Sequence, residues 1–277
     1  FSDVRYKREA GETQVLKNHH LDRLRKGGIG GACFVIWADT YNGHAPKDEM
    51  EAIVKGIKGE MAETKEFVLI HNVEELKAAE AAGKFAILLG IEGLAGIGED
   101  LSKIDELYDL GARHAMLTWN EENALATGVK GDPNRGVTEL GKQAIKKLQE
   151  KKMILDVSHI NEKSFWDVID LATGPILASH SNAKALASAA RNLTDDQLRA
   201  IRDTNGLVGL NAFGDFISDN KAEQDVDHLV NHATYIADKI GVEHLGFGFD
   251  FCDQFLTGSS AQDLARMPYV SFDLVGG

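Results

Sequence analysis

The sequence predicts an α/β fold, a (β/α)8 barrel of parallel strands, and three observations carry that prediction. Short β-branched or apolar runs alternate with longer amphipathic stretches, the short runs are near-continuously apolar, and no composition break divides the 277 residues. Near-continuous apolar runs suit parallel strands covered on both faces. Their serial alternation with helices on the connections is the pattern of α/β architecture. Barrels of this kind often reach this length as one domain, so residues 1–277 read as a single barrel domain.

The expected strands, in order, are Ala32–Ala38, Phe85–Glu92, His114–Trp119, Met153–His159, Pro175–His180, Leu207–Phe213 and His244–Asp250. Seven strands suggest an eight-stranded barrel lacking one, with an open doubly wound sheet as the alternative. The dinucleotide version of that sheet has little support, because no Gly-x-Gly-x-x-Gly turn joins a strand to a helix; Gly93, Gly96 and Gly98 have the wrong spacing. Helices are expected over Asn72–Ala82, Thr138–Lys152, Thr194–Thr204 and Asp225–Ile240. Asn72 is a good N-cap with Glu75 three residues on, and Gly83 marks the stop. The second helix gathers cationic residues in its last turns, where the helix dipole favours them. Thr194 caps the third, with Asp195 and Asp196 in its first turn, and Gly241 ends the fourth.

Composition narrows the class of function. The formal net charge is −13, from 43 acidic against 30 basic residues, which argues against a nucleic-acid groove or an anionic membrane surface and favours a cytoplasmic enzyme. The two cysteines, Cys33 and Cys252, form no disulfide framework and sit in no thiolate metal pattern. No window approaches the roughly 20 apolar residues of a membrane span, and the polar start shows no apolar signal core.

The informative feature is where polar residues fall. Enzymes of these folds place catalytic groups at the carboxyl ends of their strands. Four expected strands end in a residue that can bind metal: Glu92 in Ile-Glu-Gly, His159 in Asp-Val-Ser-His, His180 in Ala-Ser-His-Ser, and Asp250 in Gly-Phe-Gly-Phe-Asp. One such ending is commonplace; four on one rim point to a metal site. Nitrogen and carboxylate donors without thiolates suit zinc or another first-row divalent ion. A Glu with both oxygens free can bridge two ions, and a nearby carboxylate can carry a proton to a leaving amine.

The motifs Gly90-Ile-Glu-Gly93, Leu117-Thr-Trp-Asn120 with Asn123-Ala-Leu-Ala126, Gly136-Val-Thr-Glu-Leu-Gly141, Leu155-Asp-Val-Ser-His159, Ala178-Ser-His-Ser-Asn-Ala183, Arg191-Asn192 and Gly246-Phe-Gly-Phe-Asp250 resemble the membrane (renal-type) dipeptidase family, peptidase family M19. The resemblance runs from about His20 to Asp253. It implies a barrel of the metallo-dependent hydrolase type and a zinc dipeptidase, two ions per site, acting on small dipeptides through a metal-bridged hydroxide. Glu92 matches the bridging carboxylate, and His159 and His180 the ligands of the second metal. Asp250 matches the acid beside the metals, a ligand or proton shuttle, and Arg191 the arginine that holds the substrate's C-terminal carboxylate. Trp119 stands where some members have a substrate-facing histidine and could form an apolar pocket wall. Asn182 is a further candidate for substrate contact, with loop capping as its other reading. The resemblance also implies that the first strand, with its His-x-Asp pair, is missing, that Phe1–Val4 lies in the following loop, and that the barrel is incomplete at both termini. A homodimer is left open as the assembly.

Other polar residues have plainer expectations. His20 and Asp22 spell His-x-Asp but fall in a helix-like stretch before the first expected strand. His44, His71, His114, His228, His232 and His244 are expected to be solvent-facing or hydrogen-bonded, with His114 starting its strand on the opposite rim. Ser158 and Ser179 lie in no nucleophile elbow and are expected to fix backbone, with Asp156 a buried partner behind the ligands. The competing functions are another amide or cyclic-amide hydrolase on the same barrel, and a non-catalytic relative or fragment. A phosphate-handling isomerase or aldolase would need a late glycine-rich cradle that the sequence lacks.

Overall fold

A computed structural model of the protein describes residues 2–38 and 45–250. It is α/β, and among the described residues the strand ladders within each of its compact units are parallel. Two compact units divide the chain: residues up to Ala115 together with Glu150–Met153, and Met116–Gln149 together with the residues from Ile154 onward.

The first unit carries helices α1 (Ser2–Glu9), α2 (Asp22–Lys26), α3 (Pro46–Glu63), α4 (Val73–Ala81) and α5 (Lys103–Leu110), with strands β1 (Gly31–Ile36), β2 (Phe67–Leu69), β3 (Phe85–Ile91) and β4 (Ala112–Met116). Strand β3 is the centre of this sheet. Its Ala86–Ile91 edge pairs with the whole of β1. The other edge is shared, β2 lying against Phe85–Ile87 and β4 against Leu89–Ile91. Strand β2 is a further strand beyond the seven expected, and it lies off the main path of the sheet. At three residues it is too short to show a period.

Phe1 lies outside the described residues, but Ser2 onward is helix rather than the expected loop. The cause is long-range pairing that a local reading does not contain. Arg5 holds both carboxylate oxygens of Glu49 on α3 at 3.0 and 2.9 Å, and Arg8 reaches Glu60 and Glu63. Glu60 is fully buried and also accepts from the Val15 and Leu16 amides and the Thr64 hydroxyl. Val4, Val15, Leu16 and Leu21 then pack on Phe67, Phe85 and Ile87 of the sheet. His20 sits in a π-helical turn (Leu16–Leu21) and bonds Asp3 at 2.7 Å, while Asp22 opens α2.

The second unit carries α6 (Glu139–Glu150), β5 (Ile154–Asp156), α7 (Glu162–Leu171), β6 (Ile176–Ala178), α8 (Asp195–Asp203), β7 (Leu207–Leu210), α9 (Gly214–Ile217), α10 (Val226–Ile240) and β8 (Leu245–Phe247). Its strands pair in sequence, β5 to β6 to β7 to β8. The caps expected at Thr194 and Asn72 are present. Thr194 and Gln197 form a reciprocal capping box on α8, and Asp225 accepts the His228 amide at the start of α10. In the first unit, Asn72 caps α4 by accepting the Glu75 amide. Among the described residues no helix is long and apolar enough to cross a membrane.

Candidate metal and substrate site

Strands β5 and β6 stop at Asp156 and Ala178, so His159 and His180 stand just beyond them rather than on them. The reason is Asp156, a buried carboxylate that accepts the amides of Ser158 at 2.8 Å and Ser179 at 3.2 Å. Those two amides are thereby withdrawn from the sheet ladder, and the chain turns outward at both places. His159 completes its turn in the left-handed region, φ 72°. A non-glycine residue held there marks a site whose surroundings over-determine the backbone. Ser158 fixes the second turn by accepting the His180 amide at 3.2 Å.

The two turns aim the imidazoles at each other. Nε2 of His159 lies 2.7 Å from Nε2 of His180, with both residues 6% exposed. Burial first, then the charge of Arg191 and the neighbouring His180, hold the His159 imidazole well below its ordinary pKa. His159 is therefore neutral at pH 7, the state in which an imidazole nitrogen ligates a metal. Two buried imidazole nitrogens converging on one point are a donor set that fits a divalent first-row ion.

Around this pair the second unit places Arg191, Trp119 and Asn120. Arg191 is buried, directs Nε to His159 Nδ1 at 3.2 Å and a terminal nitrogen to the His180 carbonyl at 3.2 Å, and lies 5.6 Å from the Phe216 ring. The Trp119 ring is 5.8 Å from that of His159. Asn120 Oδ1 is 2.9 Å from His159 Nδ1, and Ser179 Oγ is 2.7 Å from His180 Nδ1. Asn120 received no role in the sequence reading, although it closes the Leu-Thr-Trp-Asn motif. Its signal is position alone: a carbonyl-bearing side chain beside a pocket residue.

The remaining candidates are placed as follows. Glu92 directly follows β3 in the first unit, where its amide bonds the Ile36 carbonyl at 2.8 Å. Asp250 follows β8, is exposed and takes φ 62°. Asn182 is 0% exposed, and its polar atoms meet backbone: Nδ2 donates to the Asn211 and Phe216 carbonyls, and Oδ1 accepts the Asn211 amide. Those are the bonds of a loop cap, the other reading that the position of Asn182 allows.

Several of the other histidines have partners of their own. His71 pairs with Glu75, His228 with Asp225, and His244 with the Gly206 carbonyl. Buried His232 accepts the Ala183 amide at Nδ1 and donates from Nε2 to the Ile217 carbonyl. His114 is inside β4 rather than at its start, because Gly111 ends α5 in a left-handed turn and the strand begins at Ala112. His44 and Cys252 lie outside the described residues.

A family model described as membrane dipeptidase (peptidase family M19) matches residues 4–272. A Klebsiella pneumoniae protein described only as uncharacterized, in the pqqA 5′ region, is 38% identical over 206 residues, 71% of this chain and 74% of its own length. An uncharacterized dipeptidase of Schizosaccharomyces pombe is 29% identical over 93% of this chain and 66% of its own length. For a similar Acinetobacter calcoaceticus protein, 36% identical over 64% of this chain, the match spans 59% of the relative's length. Among solved structures, a metallo peptidase from Rhodobacter sphaeroides liganded with a phosphinate mimic of the dipeptide L-Ala-D-Ala superposes with a TM-score of 0.80 at 25% identity, covering 90% of this chain and 83% of that one. A dipeptidase AC structure of family M19 gives 0.80 at 26% identity, covering 90% of this chain and 82% of its own. These likenesses agree with the α/β barrel class that the strand pattern predicts.

Proposed function

The chain belongs to peptidase family M19, the membrane dipeptidase family, and from that membership we propose that it is a zinc-dependent dipeptidase acting on small free dipeptides. The single observation that carries the metal part is the buried pair of facing imidazoles, His159 Nε2 and His180 Nε2, 2.7 Å apart. Glu92 is proposed as the carboxylate ligand that joins them, and Asp250 as a further ligand or proton carrier. When bound, the metal supplies Lewis-acid polarisation of the scissile carbonyl and lowers the pKa of water.

The chain's own groups do the rest. Arg191 offers a planar donor fork beside His159, suited to a substrate's terminal carboxylate. The Trp119 ring, 5.8 Å from that of His159, is proposed as an apolar wall of the pocket. Burial of His159, His180 and Arg191 lowers the local dielectric and strengthens each of these interactions. Asp250, exposed beyond β8, is proposed to pass a proton to the departing amine.

The test is hydrolysis of a panel of free dipeptides, N-acylated dipeptides and cyclic amides by the full-length protein, before chelation, after it, and after zinc is restored. Turnover of free dipeptides that disappears on chelation and returns with zinc supports the reading. Turnover confined to cyclic amides would replace it with the neighbouring hydrolase activity.

A further inference from the structure

We infer that Asn120 is a positioning residue for the metal site, its side-chain carbonyl holding His159 in the one neutral form whose Nε2 lone pair faces His180. The purpose of that form rests on the metal reading above; its existence does not.

A neutral imidazole carries one N–H, and which nitrogen bears it is set by the partner of the other. At His159 Nδ1 two neighbours make opposite demands. Arg191 Nε is a donor only, at 3.2 Å; Asn120 Oδ1 is an acceptor, at 2.9 Å. If Arg191 prevails, the proton moves to Nε2 and occupies the point where a cation needs a lone pair. If Asn120 prevails, Nδ1 keeps the proton and Nε2 presents its lone pair toward His180.

Asn120 is the nearer partner, and the backbone ties it to His159. Its carbonyl accepts the Lys130 amide at 2.9 Å, and the next residue of that strip, Val129, donates its amide to the His159 carbonyl at 2.8 Å. Gly128 bridges to Ile160, and a Cβ on Gly128 would lie 2.3 Å from the Trp119 carbonyl oxygen and 2.6 Å from that of Asn120. The loop from Trp119 to Lys130 is therefore closed on itself and registered against the His159 turn.

His180 is arranged differently. Its Nδ1 faces the Ser179 hydroxyl at 2.7 Å, a group that can donate or accept. The His180 proton can thus sit on Nε2, bonding the His159 lone pair at 2.7 Å, and move to Nδ1 when a cation takes both Nε2 atoms. One ring is fixed and the other adapts.

The experiment labels the full-length protein with ¹⁵N-histidine and reads ring protonation by long-range ¹H–¹⁵N correlation, metal-free and with zinc, while zinc affinity is measured by competition with a chromophoric chelator. Wild type is expected to carry the His159 proton on Nδ1 in both states, with His180 changing from Nε2–H to Nδ1–H on loading. Asn120→Ala should move the metal-free His159 proton to Nε2 and weaken zinc binding about 10- to 100-fold, the usual range for losing such a partner. Asn120→Asp keeps the acceptor, should leave His159 on Nδ1, and decides the point where Asn120→Ala does not fold. A metal-free wild type with the His159 proton on Nε2, or Asn120→Ala with unchanged ring shifts and affinity, overturns the assignment. A wild type that binds no zinc while His159 stays on Nδ1 overturns the metal reading and leaves Asn120 as the determinant of the ring's form.

Discussion

Replacing Asn182 with Ala separates a brace from a substrate contact. The side chain is 0% exposed and satisfies three backbone groups: the Asn211 amide, the Asn211 carbonyl and the Phe216 carbonyl. The Phe216 carbonyl retains a second donor, Asn192 Nδ2 at 2.9 Å. Truncation therefore orphans the two Asn211 groups, each costing about 1–3 kcal/mol when buried without a partner. A loss of roughly 3 kcal/mol follows, and at about 2–4 °C per kcal/mol for a chain of this size the midpoint drops by some 6–12 °C. Thermal unfolding of the metal-free protein, followed by circular dichroism, measures it. A midpoint within about 2 °C of wild type, accompanied by a raised KM for dipeptides, would refute the bracing argument and return Asn182 to the substrate.

Gly90→Ala would set a Cβ 2.5 Å from His114 Nδ1 and 2.8 Å from Cys33 Sγ; overpacking of that kind costs about 1–3 kcal/mol, read as a lower urea midpoint. Stability should also depend on pH through His159. Its folded pKa is depressed below 6.5, so the unfolded chain binds a proton that the folded chain refuses. Stability therefore falls as pH drops below 6.5, by about 1.4 kcal/mol per pH unit until the folded pKa is reached. Urea titrations of the metal-free protein between about pH 7 and 5 should show a steeper decline for wild type than for His159→Gln, and equal slopes would contradict the burial argument. Arg191→Lys keeps the charge but loses the fork, so KM for dipeptides should rise about tenfold or more with kcat little changed, a loss of uniform binding.

Much of this architecture is legible locally. Thr194, Asn72 and Asp225 mark helix starts because a cap is a contact between residues three apart. His159 and His180 are legible because α/β folds concentrate function just past strand ends, even though the strands stop earlier than the apolar runs suggest. What resists reading depends on partners far along the chain. Helix α1 is stabilised by Arg5 on Glu49 and Arg8 on Glu60, pairs more than forty residues apart that no periodicity announces. Asn120 and Asn182 are similar in kind. An amide at a loop position caps, braces or positions according to what the folded chain brings beside it, and sequence adjacency to a motif does not distinguish these.

The most direct test of the account is zinc binding by the full-length protein compared with the His159→Ala/His180→Ala double variant, by equilibrium dialysis with metal analysis. Wild type should retain tightly bound zinc while the double variant loses at least one ion per chain, with dipeptide hydrolysis lost in step. Equal zinc retention by the two proteins would show that the facing imidazoles hold no metal and would contradict the account.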